Sequence, residues 1–475
     1  MEEEKDIREY SDELLRIVEE FRQRIIAGTS DPEHFLSISE IEKLWSELRG
    51  STSLLYSDML TDLLSETDET ELIRKKKTDY REKGIELRTN RKYSRSIMTI
   101  NGWLNLHRYV LRPKGKIDAE RLVARENVTA IVPLDDFLKI SRLPFKMTPE
   151  VMLNVAFWAQ GQCSYQEAEE SILRAHRLKI NDDTIRKVTN YIGNLVFQED
   201  CKQAEEAFGT LIQGKLQFPT RKKKGILYIE ADGAALNTRT KDESGSSWRE
   251  NKLGIVFSSD NIHAWTDRHG EKQHQILKRE YVSYIGSVSE FKKHLFSCAL
   301  KNGYGVYEKT VMISDGAAWI RNLREELFPD TQQILDYYHL CENVNTFAKH
   351  YFGMDPSQYT KWASDTCTML KESRYVEVLE DLENKKRPPL CPVDLHGYIQ
   401  NNADHIDYAH YIKEGLFIGS GAVESGNKSI LQQRLKQAGM RWNPQTAQYL
   451  LTLRTKHKSH LWLQEVERPV LKLLQ

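Results

Sequence analysis

The sequence lacks a paired cysteine pattern, a long apolar run and an excess of one charge sign, and each absence excludes a class of protein. Six cysteines occur in 475 residues and none forms a CxxC pair, which indicates neither a disulfide framework nor a zinc knuckle. No apolar run approaches the roughly 20 residues that span a bilayer. The charged N-terminus has no signal-peptide character, and we expect a cytoplasmic protein without a membrane partner.

The charge balance excludes a uniformly basic nucleic-acid binder, but charge is uneven along the chain. The formal net charge is −1, while basic runs occur at Arg74–Lys77 and Arg221–Lys224. Local patches of this kind bind phosphate even when the whole chain is close to neutral. No glycine-rich phosphate loop or nucleophile motif supports a small-molecule enzyme of the α/β type.

The N-terminal half is predicted to be mainly helical, with one small β unit. Residues 1–90 form a helical region whose second helix is expected to be capped by Ser39. Residues 91–145 contain short strands around the hairpin signal Asn101-Gly102. Residues 146–215 form three helices with polar turns, which fits a helix-turn-helix-like DNA-binding region as well as a plain helical bundle.

From residue 222 the pattern changes to apolar strands followed by alternating helices and strands. The third strand is expected to be long, over residues 263–284, and to be interrupted by a turn near His269-Gly270. Ser289 is expected to cap the next helix. The predicted order is β-β-β-α-β-α-β-α. It describes an α+β multidomain protein with a ribonuclease H-like mixed β-sheet core covered by helices.

Three carboxylates in this region are predicted to form one site. Asp232 is expected at the end of the first strand and Asp315 at the end of the fourth, each followed by Gly-Ala. Where such strands are neighbours, the two carboxylates repel each other unless a cation such as Mg²⁺ or Mn²⁺ lies between them. Glu424, near a helix start, is the third candidate. Two metal ions held by this set would suit in-line phosphoryl transfer.

Each of these residues also has a simpler interpretation. An Asp-Gly pair after a strand is often only a turn, and a Glu at a helix start is often only a partner of the helix dipole. The combination of two such aspartates with one such glutamate favours a site. Glu230 lies two residues before Asp232 on the same strand face. It could be a second-shell group or a strand-edge charge, and we favour the latter.

Four further residues are candidates for second-shell or substrate-positioning roles around the carboxylates. Asp336 and His339 are three residues apart and could orient each other near the metals, although His339 could equally cap a helix. Asn427 and Lys428 follow Glu424 by one helical turn, so they are expected to face the same site and to contact phosphate.

At these residues the sequence resembles a known family. The segments YIEADGA, SDGAAW, DYYH, GSGAVESGNK and RLKQAGMRW are similar to the DDE transposases of bacterial insertion sequences, of the ISLre type, with ISKra-type and Mutator-like enzymes as relatives. The resemblance implies that Asp232, Asp315 and Glu424 are the catalytic residues and the ligands of two Mg²⁺ or Mn²⁺ ions. It also implies that Asp336 and His339 form the DxxH element of such enzymes.

The resemblance further implies how the rest of the chain is organised. The catalytic domain would comprise residues 222–340 and 415–445, with an all-helical insertion at 341–414 and a basic helical C-terminus at 446–475. Relatives commonly carry an N-terminal zinc-binding element, for which this chain lacks the cysteines.

The segment after Glu424 is rich in cations that are expected to follow the DNA backbone. Arg434, Lys436 and Arg441 are the predicted DNA-binding cations, and Trp442 offers a stacking surface beside them. For Trp442 taken alone, a position in the core is the favoured interpretation.

These observations predict a DNA transposase that cuts double-stranded DNA at the terminal inverted repeats of its element. The freed 3′-hydroxyl would then attack target DNA. Such an enzyme is expected to act as a homodimer or higher homo-oligomer and to associate with the bacterial nucleoid when bound to DNA. Two alternatives stay open: a catalytically inactive or domesticated DNA-binding regulator, and a ribonuclease H-like metal nuclease without strand transfer.

Overall fold

The chain divides into two compact units, which are described separately here. The computed structural model describes residues 7–30, 37–65, 68–242, 244–270, 272–353 and 355–474. Of these residues, those up to 159, 165–189 and from 470 onward belong to the first unit, and those at 160–164 and 190–469 belong to the second.

The first unit contains helices and one antiparallel hairpin. Its elements are α1 (Ile7–Ser30), α2 (Ile38–Ser65), α3 (Thr70–Glu82), β1 (Leu87–Thr99), β2 (Gly102–Pro113), α4 (Lys116–Glu126), α5 (Pro133–Phe137), most of α6 (Pro149–Gly161), α7 (Tyr165–His176) and the start of α8 (Asp182–Ile212). The predicted hairpin at Asn101-Gly102 is confirmed, because β1 and β2 pair across this turn and Gly102 has a φ of +127°.

The cap predicted for the second helix is wrong by two residues. Ser37, and not Ser39, caps the N-terminus of α2. Its Oγ accepts the Glu40 N–H at 3.3 Å, while Oε2 of Glu40 accepts the Ser37 N–H at 2.8 Å. This reciprocal pair is a capping box, in which Glu40 supplies the second bond, so the serine three residues before a glutamate was the stronger signal.

The second unit contains all strands of the main sheet. Its elements are β3 (Lys223–Asn237), β4 (Trp248–Ser258), β5 (Ile262–Thr266), β6 (Lys272–Ile276), β7 (Glu280–Ile285), α9 (Val288–Lys301), β8 (Tyr307–Ser314), α10 (Ala318–Leu327), β9 (Gln332–Leu335), α11 (Tyr337–Phe352), α12 (Pro356–Lys371), α13 (Tyr375–Asn384), α14 (Leu395–Asn401), α15 (Tyr408–Lys413), α16 (Gly421–Gly426), a π-helical turn (Asn427–Gln432), α17 (Gln433–Leu435), α18 (Pro444–Lys458), a second π-helical turn (Trp462–Glu467) and α19 (Arg468–Leu474), whose last residues belong to the first unit.

Five strands form one mixed sheet in the order β7-β4-β3-β8-β9. β4 is antiparallel to β3 and β7, whereas β8 is parallel to β3 and β9. The expected α+β class and mixed sheet are therefore present. Because β3 is central, its residues are covered on both faces, which explains its near-continuous apolar sequence.

The turn expected near His269-Gly270 is present, but residues 263–284 do not form one long third strand. β5 and β6 pair with each other around a turn at Gly270, which has a φ of +81°, and form a separate two-stranded sheet. Only β7 joins the main sheet. The helix after β7 is capped by Ser287 rather than by Ser289, since the Ser287 side chain accepts the Glu290 N–H.

The two faces of the sheet pack against different parts of the chain. Alternate residues of β3, including Leu227 and Ile229, belong to a buried cluster with residues of α9 and α10. On the opposite face, the Tyr228 ring lies 5.1 Å from that of Phe417, centroid to centroid. The same face of β3 carries Glu230 and Asp232, because side chains alternate along a strand.

The described residues between β9 and α16 form helices α11–α15 without a strand, as expected for the stretch before Glu424. Within the described part of the chain, no helix combines the length and apolarity that crossing a bilayer requires.

Candidate functional site

Two of the predicted aspartates directly follow parallel strands at the same edge of the sheet. β8 ends at Ser314, immediately before Asp315, and β9 ends at Leu335, immediately before Asp336. Since parallel strands point the same way, their carboxyl ends meet at one edge. Ligand sites of α/β sheets commonly lie at this edge.

Asp232 reaches the same edge by a different route from the one predicted. The expectation that Asp232 ends its strand is wrong, because β3 continues to Asn237 while paired with β4. The parallel pairing of β3 with β8, however, stops at Glu230 opposite Ile313. Asp232 therefore lies just beyond that ladder, in register with Asp315.

Both carboxylate oxygens of Asp232 accept hydrogen bonds. Oδ1 accepts the Gly233 N–H at 2.7 Å, and Oδ2 accepts Nδ2–H of Asn427 at 2.5 Å. Burial raises the pKa of the Asp232 carboxyl, and the neighbouring charge of Asp315 adds to the rise. The two aspartates are thus electrostatic neighbours, as the sequence predicted.

Asp315 is held by its own turn and by the helical stretch that follows β9. Its Oδ1 accepts the Ala317 N–H at 2.9 Å, and its backbone oxygen accepts the hydroxyl of Tyr398 in α14 at 2.6 Å. Gly316 has a φ of +83°, which a side chain would strain, and a Cβ there would lie 2.8 Å from Leu335. The sharp turn predicted after Asp315 is therefore confirmed, whereas Gly233 stays within β3.

Glu424 lies in the first turns of α16, which packs closely on the sheet. A Cβ at Gly426 would lie 2.8 Å from the Tyr281 ring and 3.0 Å from Leu253, so a side chain there would push the helix away. The Glu424 side chain is exposed. Its partial burial, and then the charge of Asp336, raise the pKa of the carboxyl.

Asn427 and Lys428 begin a π-helical turn directly after α16. Asn427 is buried and contacts Asp232, so it faces the candidate site as predicted. Lys428 is exposed, and its charge lowers the pKa of Glu424 against the larger effects that raise it. A π-helical turn is rare and often accompanies a functional position, because it changes which side chains share a helix face.

The Asp336 carboxylate contacts the backbone N–H of His339 and not its imidazole. Oδ1 of Asp336 accepts the N–H groups of Tyr338 at 2.7 Å and His339 at 3.1 Å, so Asp336 is the N-cap of α11. Nδ1 of His339 lies 3.6 Å from Oε2 of Glu342. The charge of His339 also lowers the pKa of Asp232, which puts the imidazole within electrostatic reach of the site.

Glu230 is a site residue that the favoured interpretation missed. It is not a strand-edge charge, because β3 is central and Glu230 is 1% exposed. Its Oε2 accepts the Val423 N–H at 2.8 Å, and burial raises the pKa of the carboxyl to about 8. The available signal was a single acid within the apolar strand ILYIEA, two residues before Asp232, where only a paired carboxylate can be buried.

The predicted DNA-binding residues divide into buried and exposed pairs. Arg434 is 1% exposed, and its guanidinium lies 5.2 Å from the centre of the Trp442 ring, which is itself 9% exposed. Lys436 and Arg441 are exposed. In this structure Arg434 and Trp442 therefore pack in the interior, and the core position favoured for Trp442 is the one it occupies.

Two further cations of the basic C-terminal segment are also buried. Nε of Arg454 donates to the carbonyl oxygen of Ile430 at 2.7 Å. Nζ of Lys456 lies 2.7 Å from Oδ1 of Asp200 and 2.6 Å from Oε2 of Glu465. These side chains hold the fold together, so the expectation that the whole basic set follows DNA is too broad.

The donor chemistry of the site suits Mg²⁺ or Mn²⁺. Asp232, Asp315 and Glu424 offer hard carboxylate oxygens, and Oδ1 of Asn427 is a buried acceptor that no donor among the described residues reaches. The side chains do not form a complete coordination sphere, since no group of three or more His, Cys, Asp or Glu in the described ranges is arranged to hold a metal ion.

Comparison with known proteins adds no relative to this description. No protein-family model matches the chain, and a search of curated proteins returned no match.

Proposed function

We propose that this protein is a DDE-type DNA transposase with a ribonuclease H-like catalytic domain. The observation that carries the proposal is that Asp232 and Asp315 are electrostatic neighbours at the carboxyl edge of a mixed sheet, and that the charge of Asp232 also acts on Glu424 in α16. The strand order β7-β4-β3-β8-β9, with the first three strands antiparallel and the last two parallel to β3, supports the ribonuclease H-like assignment.

The carboxylate arrangement favours phosphoryl transfer over other reactions. The pKa values of Asp232 and Glu424 are raised by burial and by neighbouring acids, so cationic partners would stabilise these carboxylates, and an incoming DNA backbone arrives with divalent ions. When bound, two such ions supply activation of an attacking oxygen and stabilisation of the leaving oxygen. We assign the ligand role to Asp232, Asp315 and Glu424.

The protein's own residues position these ligands. Asn427 and the Gly233 N–H fix both oxygens of Asp232, and the turn at Gly316 fixes Asp315. Lys428 is the exposed cation nearest in sequence to Glu424, where it can contact a phosphate.

The proposed reaction has two steps. In the first, a water oxygen bonds to phosphorus at the element end, and the bond from phosphorus to the leaving 3′ oxygen breaks, which frees a 3′-hydroxyl. In the second, that hydroxyl oxygen bonds to a phosphorus of target DNA, and the target's own 3′ oxygen leaves as a hydroxyl. The number of phosphodiester bonds is unchanged by the second step.

A cleavage and joining assay tests the proposal. Labelled duplexes that carry the DNA flanking the gene would be incubated with plasmid in Mg²⁺, Mn²⁺ or EDTA. We expect cation-dependent cutting at a defined end and covalent joining of that end to plasmid. Cutting without joining would replace the proposal by a metal nuclease, and binding without cutting in either cation would replace it by a DNA-binding regulator.

A further inference from the structure

Two buried carboxylates hold the segment that leads into Glu424. Glu230 in β3 and Asp336 after β9 are each 1% exposed. The Val423 N–H donates to Oε2 of Glu230 at 2.8 Å, and the Ser420 N–H donates to Oδ2 of Asp336 at 2.9 Å. The held segment therefore ends one residue before Glu424.

The two contacts fall on opposite sides of the strand that carries Asp315. In the sheet, β8 lies between β3 and β9. Neighbouring strands are about 4.8 Å apart, so the two anchoring strands are about 10 Å apart. A segment fastened at both points can neither slide nor rotate without breaking a buried hydrogen bond.

Asp336 has no acceptor position left for a metal ion. Its Oδ1 accepts the N–H groups of Tyr338 at 2.7 Å and His339 at 3.1 Å, while Oδ2 accepts both the N–H and the hydroxyl of Ser420. A carboxylate has about four acceptor positions, and all four are used here. Its chemistry is therefore structural, and what it supports is the start of α16 and the first turn of α11.

Burial separates Glu230 from the reacting groups. Its side chain is enclosed between β3 and the backbone of α16, and its contact there is a backbone N–H rather than an exposed group. Removing the Glu230 carboxyl takes away one of the two acceptors of the Val423 N–H, whose other acceptor is the Ser420 carbonyl oxygen at 3.1 Å, and loosens the segment that Glu230 holds.

We propose that Glu230 and Asp336 are positioning residues, which set the place of Glu424 relative to Asp232 and Asp315 and contact neither metal nor DNA. The role rests on the proposed phosphoryl-transfer function. The physical basis is that ligand geometry depends on the groups that hold the ligands, whose loss typically lowers metal affinity or activity by about 10–100-fold.

Amide hydrogen exchange tests the holding contacts directly, without DNA or metal. We expect the amide of Val423 to be protected in the wild type, to exchange faster in Glu230→Ala and to regain protection in Glu230→Gln, since the amide oxygen still accepts the N–H. Asp355→Ala is the matched control, because Asp355 caps α12 in the same way, accepting the Ser357 N–H at 3.0 Å. Equal exchange at Val423 in all variants would overturn the proposal.

Titration with Mn²⁺ by calorimetry and steady-state cleavage test the consequence. We expect Glu230→Ala to lower Mn²⁺ affinity and kcat by about 10–100-fold with little change in KM for DNA, and Glu230→Gln to recover most of both. An equal loss in the Gln and Ala variants would show that the ionisable carboxyl group itself acts in the reaction, and would contradict a positioning role. If Glu230→Ala does not fold, Ser420→Ala serves as the second probe. It removes only the hydroxyl contact to Asp336, and we expect a smaller loss.

The two readouts separate failure of this inference from failure of the proposed function. A wild type that neither binds Mn²⁺ nor cuts DNA would end the proposed function, and with it the catalytic meaning of the contacts. Mn²⁺ binding and cutting that are indifferent to Glu230→Ala and Ser420→Ala would leave the function standing and overturn only the positioning role.

Discussion

Asn427 donates a hydrogen bond from Nδ2 to Oδ2 of Asp232 at 2.5 Å, and so joins the turn after α16 to the central strand of the sheet. The bond fixes the orientation of Asp232, one candidate metal ligand. Its donor, Asn427, lies three residues after Glu424, another candidate ligand. The remaining oxygen of the amide is buried and faces no donor among the described residues.

Asn427→Ala is expected to slow DNA cleavage by about 10–100-fold, because Asp232 loses the donor that orients it. Asn427→Asp is expected to be more damaging, since it places a like charge beside Asp232. Gln432→Ala is the control, because Gln432 lies in the same π-helical turn with an exposed side chain. Cleavage by Asn427→Ala at the wild-type rate would show that the contact has no role in the reaction.

Gly426→Ala is expected to destabilise the protein by about 1–3 kcal/mol, measured by urea unfolding, because its Cβ has no room against the sheet. A Cβ at Gly426 would lie 2.8 Å from Tyr281, whereas a Cβ at Gly421 in the same helix meets nothing within 4 Å. Gly421→Ala should therefore leave the free energy of unfolding unchanged or slightly raised. Equal effects at the two positions would mean that α16 does not pack as closely as described.

Arg441→Ala and Lys436→Ala are each expected to weaken DNA binding and to reduce the slope of log affinity against log salt by about 1, since each side chain is exposed. Arg434→Ala should instead lower stability, because Arg434 is buried against Trp442. Lys202→Ala, an exposed cation on α8, is the control for net charge. A salt slope unchanged by Arg441→Ala and Lys436→Ala would remove both residues from the DNA interface.

Glu465→Gln is expected to lower the free energy of unfolding by about 1.5–3 kcal/mol at neutral pH, because Glu465 bonds the buried Lys456. Burial, the largest single effect, raises the pKa of Glu465, but the charges and hydrogen bonds of Lys456 and Lys301 together outweigh it, and the pKa lies below the ordinary value of 4.5. A lowered folded pKa contributes stability above the unfolded pKa, and that contribution is lost as pH falls through the folded pKa.

The difference in unfolding free energy between wild type and Glu465→Gln should therefore be constant above about pH 5 and shrink below pH 4.5. Urea unfolding over a series of pH values measures it. A difference that stays constant at acid pH would show that the ionised Glu465 carboxylate does not stabilise Lys456.

The parts of the fold that follow from local sequence were predictable. Apolar runs interrupted by Asp-Gly located β3 and β8, and the turn at Gly316 placed Asp315 at a strand end as expected. The end of β3 was missed because residues after Asp232 keep pairing with β4, and such pairing depends on a partner strand rather than on the strand's own sequence.

Side chains with distant partners were not predictable. The burial of Lys456 depends on Asp200, far earlier in the chain, and no local periodicity separates it from a solvated lysine. The burial of Glu230 depends in the same way on Val423. The candidate site was found from its strand-end aspartates, whereas the residues that hold it required the tertiary structure.

The most direct test of the central claim compares binding with cutting in single variants. Labelled flanking DNA would be bound and cut by the wild type, Asp232→Asn, Asp315→Asn and Glu424→Gln in Mg²⁺ or Mn²⁺, with Asp330→Asn, outside the site, as the control. The account predicts that each site variant binds DNA like the wild type but cuts at least 100-fold more slowly, by the order of magnitude expected for lost metal ligands. Cutting at the wild-type rate by any one of the three would contradict the assignment of that carboxylate and of the site built on it.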